Sequence, residues 1–225
     1  MSIYVESISL KSYPPKSSYL HELPVVRNLR RIGRLSFNKD VTVFVGENGT
    51  GKSTLLEAVA VSLGFNAEGG TRNFNFETRA THAELNRHLR VARTAYPKDG
   101  FFLRAESFYN VASNIDDMDS APSFQKQIIQ SYGGRSLHQQ SHGESFMALV
   151  QNRFGGNGLY ILDEPEAALS PSRLLTLMAE IHELVKKNSQ FIISTHSPML
   201  LAYPGAQVVE LTADNIQTVP FRETE

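Results

Sequence analysis

Two groups of residues in this chain have the types and spacing to do chemistry together. The first is the run Gly46-Glu47-Asn48-Gly49-Thr50-Gly51-Lys52-Ser53-Thr54. Its glycines permit backbone angles that turn successive N–H groups inward, and such a nest at the positive end of a helix binds anions. Lys52 then reaches the β- and γ-phosphates of a nucleotide, and the Ser53 hydroxyl is a ligand for Mg²⁺. A glycine-rich turn opening a core helix would explain the glycines but not the Lys52-Ser53 pair. The second group ends Leu159-Tyr160-Ile161-Leu162-Asp163-Glu164, an apolar strand that delivers two carboxylates at its C-terminal end. Open α/β sheets bind ligands at that edge. Asp163 is suited to hold the magnesium through water, and Glu164 to polarise an attacking water as general base.

Such groups need rigid supports, and the apolar pattern supplies them. Val41–Val45 is a short β-branched run leading into Gly46 and reads as a buried strand. From Ser53 onward Leu55, Leu56, Val59, Ala60 and Leu63 recur at helical spacing, with Gly64 as the stop. Ile3, Val5, Ile8 and Leu10 suggest a first strand, which Pro14 and Pro15 break. A helix is expected near Ala80–Ala95 and a strand at Phe101–Ala105. Ser141 opens an apolar helix closed by Gly155-Gly156, and Ser170-Pro171 opens another whose core face runs from Leu174 to Val185. Phe191–Ser194 and Val208–Leu211 complete the strands. Strands alternating with helices indicate an α/β fold with a largely parallel sheet.

Composition narrows the classes. The chain has 225 residues, a hydrophobic fraction of 41% and a charged fraction of 20%, which are globular values. It has no cysteine, which excludes disulfide frameworks, thiolate metal sites and cysteine nucleophiles. A net charge of −1 provides no global field to recruit nucleic acid or anionic lipid. The N-terminus lacks a basic and apolar leader, and no apolar run approaches the roughly 20 residues of a membrane span. The expectation is a soluble, cytoplasmic protein without membrane insertion.

Beyond Asp163, the run Glu164-Pro165-Glu166-Ala167-Ala168-Leu169-Ser170 resembles the Walker B to D-loop segment of the ABC-type ATPases. Ser194-Thr195-His196-Ser197-Pro198 resembles that family's switch histidine after a strand, and Gln140-Ser141-His142-Gly143-Glu144-Ser145 resembles its signature motif. With the P-loop, all four motifs stand in the family's order. The wording of the P-loop is closer to the soluble SMC/RecF-like branch than to transporter subunits. The resemblance implies a P-loop NTPase with an antiparallel β part near the N-terminus. It implies a single domain over 1–225, with residues 65–140 as an insert carrying the signature at its end. It also implies ATP and Mg²⁺ as cofactors and a head-to-tail homodimer driven by ATP. Ser141 and Gly143 would then meet the γ-phosphate held by the partner, and His196 would contact the γ-phosphate and orient the water. The chain departs from the family at His142, where glycine is usual, at Glu144, where glutamine is common, and at Glu106, which occupies the place of the glutamine loop. Ser, Asn, Asp and Gly throughout 109–136 forbid the long coiled coil of the SMC type.

Other residues have two readings. Arg27, Arg30, Arg31 and Arg34 suit a phosphate backbone or a solvated face, as do Arg72, Arg79, Arg87, Arg90 and Arg93. Tyr13 could stack on adenine or simply pack. His138 and His142 lack a third metal ligand, and His82 and His88 lie in a polar segment. Function therefore divides between a soluble Mg²⁺-dependent ATPase, a transporter ATPase subunit, and an ATP-gated module in DNA maintenance, phage defence or a toxin–antitoxin pair. A small-molecule kinase has no use for the signature and switch motifs. The client is not legible.

Overall fold

Strands covered on both faces read as largely apolar runs, and three segments fit: β3 (Val41–Val45), β6 (Gly158–Asp163) and β7 (Gln190–Ser194) are buried at every position. They form the middle of a six-stranded sheet in the computed structural model, which describes residues 3–71, 84–108, 113 and 141–221. The order is β5 (Asp99–Arg104), β6, β7, β3, β8 (Gln207–Leu211), β9 (Ile216–Val219). All neighbours run parallel except β9, which turns back antiparallel on β8. A second, antiparallel sheet has the order β2 (Arg34–Ser36), β1 (Val5–Leu10), β4 (Leu89–Arg93).

Alternation along the buried strands divides the core in two. Val43, Phe101, Leu103, Tyr160, Leu162, Phe191 and Ile193 face the same cluster as the apolar stripes of α3 (His142–Arg153) and α4 (Pro171–Lys186). Phe44, Phe102, Leu159, Ile161 and Ile192 face the opposite cluster with α1 (Pro24–Ile32), α2 (Lys52–Ser62) and the small sheet. A short helix, α5 (Pro198–Leu201), follows β7.

Two buried glutamines join the sheets. The Gln190 amide oxygen accepts the N–H groups of Tyr4 and Val5, each at 2.8 Å, and its nitrogen donates to Val5 O at 3.0 Å. Gln207 accepts from Asn38 N at 2.8 Å and donates to Ser36 O at 2.9 Å. Each side chain acts as a short length of strand where the backbone ladders stop.

Most expected elements occur, and the differences have physical causes. The expected helix near Ala80–Ala95 is replaced, over its described part, by a 3₁₀ turn at Glu84–His88 and the strand β4. Pairing of Leu89–Arg93 with β1 overrides the local preference of that segment. Helix α1 was not read in advance, although Pro24 at its start, Val25, Val26 and Leu29 on its buried face and Gly33 at its end (φ +72°) are its signals. The segment 109–140, save Ser113, lies outside the described residues, and with it most of the expected insert, His138 and Gln140. His82, Arg72 and Arg79 lie outside them too.

At the edge opposite the carboxylates, Asp99 ties β5 to β6 and α3. Its carboxylate accepts Arg153 Nη1 at 2.8 Å, Gly155 N at 3.0 Å and the Tyr160 hydroxyl at 2.8 Å. Burial alone pushes the Asp99 pKa up, but these donors outweigh it and hold the carboxyl below its usual range. A depressed folded-state pKa stabilises the fold above the unfolded value, roughly 3.9, and that stability is lost as pH falls through the folded value. Asp99→Ala should therefore lower the unfolding free energy at neutral pH by about 1–3 kcal/mol, because the buried Tyr160 hydroxyl and the partly exposed Arg153 lose their acceptor. Urea titrations at pH 7 and pH 3 should show the gap between wild type and variant closing at the lower pH.

Candidate functional site

The loop Gly46–Gly51 joins β3 to α2 and sits at the C-terminal edge of the large sheet. Gly46 has φ +147°, and a Cβ there would lie 2.0 Å from Leu211 O at the end of β8. Gly51 has φ +97°, and a Cβ would lie 2.5 Å from the Val25 side chain on α1. Only glycine fits either place. Helix α1 is thus a buttress for the loop, and Val25 N also donates to Thr50 O at 3.2 Å. The Thr50 hydroxyl donates to Glu47 O at 2.9 Å, which folds the loop back on itself. Glu47, Asn48 and Gly49 at its tip are exposed, while Ser53 and Thr54 are half-buried on the first turn of α2.

Lys52 is buried, and its ammonium donates to Gly46 O at 2.7 Å and Glu47 O at 3.0 Å. Burial lowers its pKa, opposed by the negative charges of Glu164, Asp163 and Glu166. The loop's lysine and the carboxylates at the end of β6 therefore feel each other's field.

Sheet order explains why. β7 lies between β3 and β6, so the loop after each strand reaches the same edge. Asp163 is opposite Ser194 in register, and the Ser194 hydroxyl donates to Asp163 Oδ1. Glu164 N donates to Ser194 O at 3.0 Å, and Thr195 N to Phe44 O at 3.1 Å. Glu164 adopts φ +48°, a left-handed conformation unusual for a residue with a side chain, and it introduces the 3₁₀ turn Pro165–Ala168. Strain of this kind gathers at functional positions. His196 Nε2 stands 3.5 Å from Glu164 Oε1, and His196 N donates to Glu166 Oε1 at 2.6 Å.

Ser53, Asp163 and Glu164 line one cavity of about 150 Å³, together with Ala105, Glu106 and Ala167. Its oxygen donors are a hydroxyl and carboxylates. Three of its lining residues, Glu106, Asp163 and Glu164, are carboxylates, hard oxygen donors of the kind a hard cation takes.

Arg104, at the end of β5, is the residue the sequence reading passed over. Its guanidinium lies 2.9 Å from Glu57 Oε2 on α2, 3.3 Å from Asp163 Oδ2 and 3.6 Å from Glu106 Oε2. The register pair Arg104 and Asp163 could not be seen before β5 and β6 were known to be neighbours. Glu106 lines the cavity, as its place in the sequence suggested, although its side chain is mostly exposed.

Ser141 and Gly143 stand at the start of α3, apart from the cavity lining. Gly143 faces the turn after β6: a Cβ there would meet Ala168 O at 3.1 Å and Arg173 Nη1 at 2.5 Å. Glu144, the departure from glutamine, folds back to accept Ser141 N at 3.0 Å and the Ser141 hydroxyl at 2.7 Å, a capping arrangement. These bonds, with Arg173 at 3.1 Å, hold its carboxyl below the usual range. His142 is exposed on the first turn.

The other candidates are placed as well. Tyr13 is half-buried, donates to His21 O at 3.0 Å and carries the Arg30 guanidinium 4.6 Å above its ring. Arg31 donates to Asp214 O and Asn215 Oδ1, and Arg34 pairs with Glu6 at 2.6 Å. Three of the four clustered arginines thus hold parts of the fold.

Comparison with known proteins agrees with this geometry. The family model described as "AAA domain" matches residues 26–151, more than half of the chain. A second AAA-domain model, associated in its description with the AbiEii toxin and Type IV TA systems, matches 137–202. An "Uncharacterized ABC transporter ATP-binding protein" of Haemophilus influenzae is 28% identical over 76% of this chain and 69% of its own. The ribose import ATP-binding protein RbsA of Bacillus cereus is 26% identical over 70% of this chain, which spans only 34% of its length. A nucleotide-free ATP-binding cassette from an ABC transporter shares the fold with a TM-score of 0.55, at 19% identity, over 96% of this chain and 90% of that one. The chain belongs to the AAA-domain family, and its fold is that of an ABC-type ATP-binding cassette.

Proposed function

We propose that the chain binds Mg²⁺-ATP between the P-loop and the ends of β6 and β7, and hydrolyses it in a homodimer closed head to tail. The observation that carries this reading is the single cavity uniting Ser53, Asp163 and Glu164 beside the buried Lys52. The loop N–H groups receive the phosphates, and Lys52 exchanges its two carbonyl acceptors for β- and γ-phosphate oxygens. Glu164 accepts the proton of the attacking water, and His196, 3.5 Å away, orients that water against the γ-phosphate.

The donors fit magnesium. Ser53 Oγ and, through water, Asp163 would hold it, and the ion would supply neutralisation of the charge developing on the phosphates. Among the described residues no group of three or more His, Asp or Glu is arranged to hold a metal alone.

The dimer rests on Ser141 and Gly143, which the family resemblance assigns to the partner's γ-phosphate and which stand outside the cavity of their own subunit. A transporter subunit is the second reading, favoured by the names of the relatives. Among the described residues no helix is long and apolar enough to cross a membrane, so this reading needs a membrane partner, which would co-purify.

Lys52→Ala tests the binding site. The variant loses the cation opposite three carboxylates, and those carboxylates then repel the phosphates. ATP affinity should fall by about 1.5–3 kcal/mol, the value of a charge-assisted hydrogen bond. Fluorescent-nucleotide titration reads this, and thermal unfolding verifies the fold. Unchanged affinity in folded protein removes the P-loop assignment.

A further inference from the structure

Two carboxylates from one loop embrace His196. Glu164 faces its ring at 3.5 Å, while Glu166, two residues on, accepts its backbone N–H at 2.6 Å. The peptides around His196 are held one by one: Thr195 N on Phe44 O at 3.1 Å, His196 N on Glu166, and Ser197 N on the Thr195 hydroxyl at 2.9 Å. Of these three anchors only Glu166 is charged, and only Glu166 comes from the loop that begins with Glu164. Its second oxygen, Oε2, is buried without a hydrogen-bond partner. Burying a carboxylate oxygen in that way costs stability, so anchoring the turn is a poor account of the residue.

We propose that Glu166 is a positioning residue for hydrolysis: its hydrogen bond to His196 N fixes the loop after β7 so that the imidazole and the Glu164 carboxylate meet the same water. This inference rests on the roles given to Glu164 and His196 above. The bond is charge-assisted and short, hence directional. Without it, no hydrogen bond among the described residues ties the loop to the turn Pro165–Ala168, and a small drift of the ring takes it out of reach of a water held by Glu164. Small misplacements of this kind cost rate more than binding.

A separate effect of Glu166 must be distinguished. Its charge acts on Lys52, so removing it alters the field at the phosphates. That effect changes ATP affinity, whereas loss of positioning changes turnover at saturation. The experiment compares E166A, E166D, E166Q, H196A and the E166A/H196A double variant in the full chain. It measures steady-state hydrolysis, fluorescent-nucleotide affinity and thermal unfolding. E166A should lose at least tenfold in kcat with affinity within twofold. E166Q keeps a carbonyl acceptor at the same reach without the charge and should recover most of the loss. E166D keeps the charge but falls one methylene short, and it should resemble E166A; it also carries the test if E166A does not fold. The double variant should be no slower than H196A alone, since both changes break one unit. Normal kcat in folded E166A beside an impaired H196A overturns this inference alone, as does failure of E166Q to recover, or losses that multiply in the double variant. Full turnover in H196A overturns the histidine's role and this inference with it.

Discussion

Glutamine in place of Glu164 should slow ATP hydrolysis by roughly two to four orders of magnitude, the usual contribution of a positioned general base. The substitution is nearly isosteric, so the backbone at φ +48° and the bond from Glu164 N to Ser194 O survive. What disappears is the capacity to take a proton from the water. ATP should still bind, because Lys52, Ser53 and Asp163 are untouched, and loss of the Glu164 charge beside Lys52 removes a repulsion on the phosphates. If ATP closes two copies on each other, the variant cannot leave the closed state and a dimer accumulates. Twofold symmetry then lets each subunit's α3 cap the other's nucleotide. Light scattering with ATP, with ADP and without nucleotide reads the dimer. Ser141→Arg in the same background should abolish it with ATP binding nearly intact, because Ser141 acts on the partner's nucleotide. A monomer under all three conditions, with hydrolysis first order in protein, would leave a one-subunit ATPase.

What could be read from the sequence follows from how local each signal is. Gly46, Gly51 and Lys52 lie within one turn of chain, and their geometry follows from residue type alone. The buried strands around them are continuous apolar runs that no neighbour can disguise. Asp163 and Glu164 were legible because a strand end is a local feature too. Arg104 and Ser194 were not, because each earns its role only from the strand beside it, through the pairings of Arg104 with Asp163 and of Asp163 with Ser194. Glu166 was visible as part of a motif, but its contact with His196 crosses from one loop to another. The same holds for β4, whose partner β1 lies some eighty residues earlier in the chain. Helix α1 is local too, but its arginines interrupt the apolar face formed by Val25, Val26 and Leu29 and give the segment the pattern of a charged patch.

Arg104→Met should cost about 3–5 kcal/mol of folding stability at neutral pH, the usual result of removing one partner from a buried ion cluster. The side chains of Glu57 and Asp163 are 8% and 5% exposed, and the guanidinium between them is 15% exposed. Methionine fills similar space and supplies no charge. Two carboxylates then share a poorly hydrated region without the cation between them. Like charges so placed repel each other across a region where water screens them poorly. The deficit of the variant should therefore be plain at pH 8. Restoring the balance of charge with Arg104→Met/Glu57→Gln should recover much of the loss, since the remaining carboxylate, Asp163, keeps its bond from Ser194. Urea unfolding of the wild type, the single and the double variant at pH 5 and pH 8 measures each of these differences. A single variant within 1 kcal/mol of wild type at pH 8 would show that Asp163 is held by Ser194 alone. In that case the end of β6 stays in place without Arg104, and the tie from α2 through Glu57 has no part in setting the cavity.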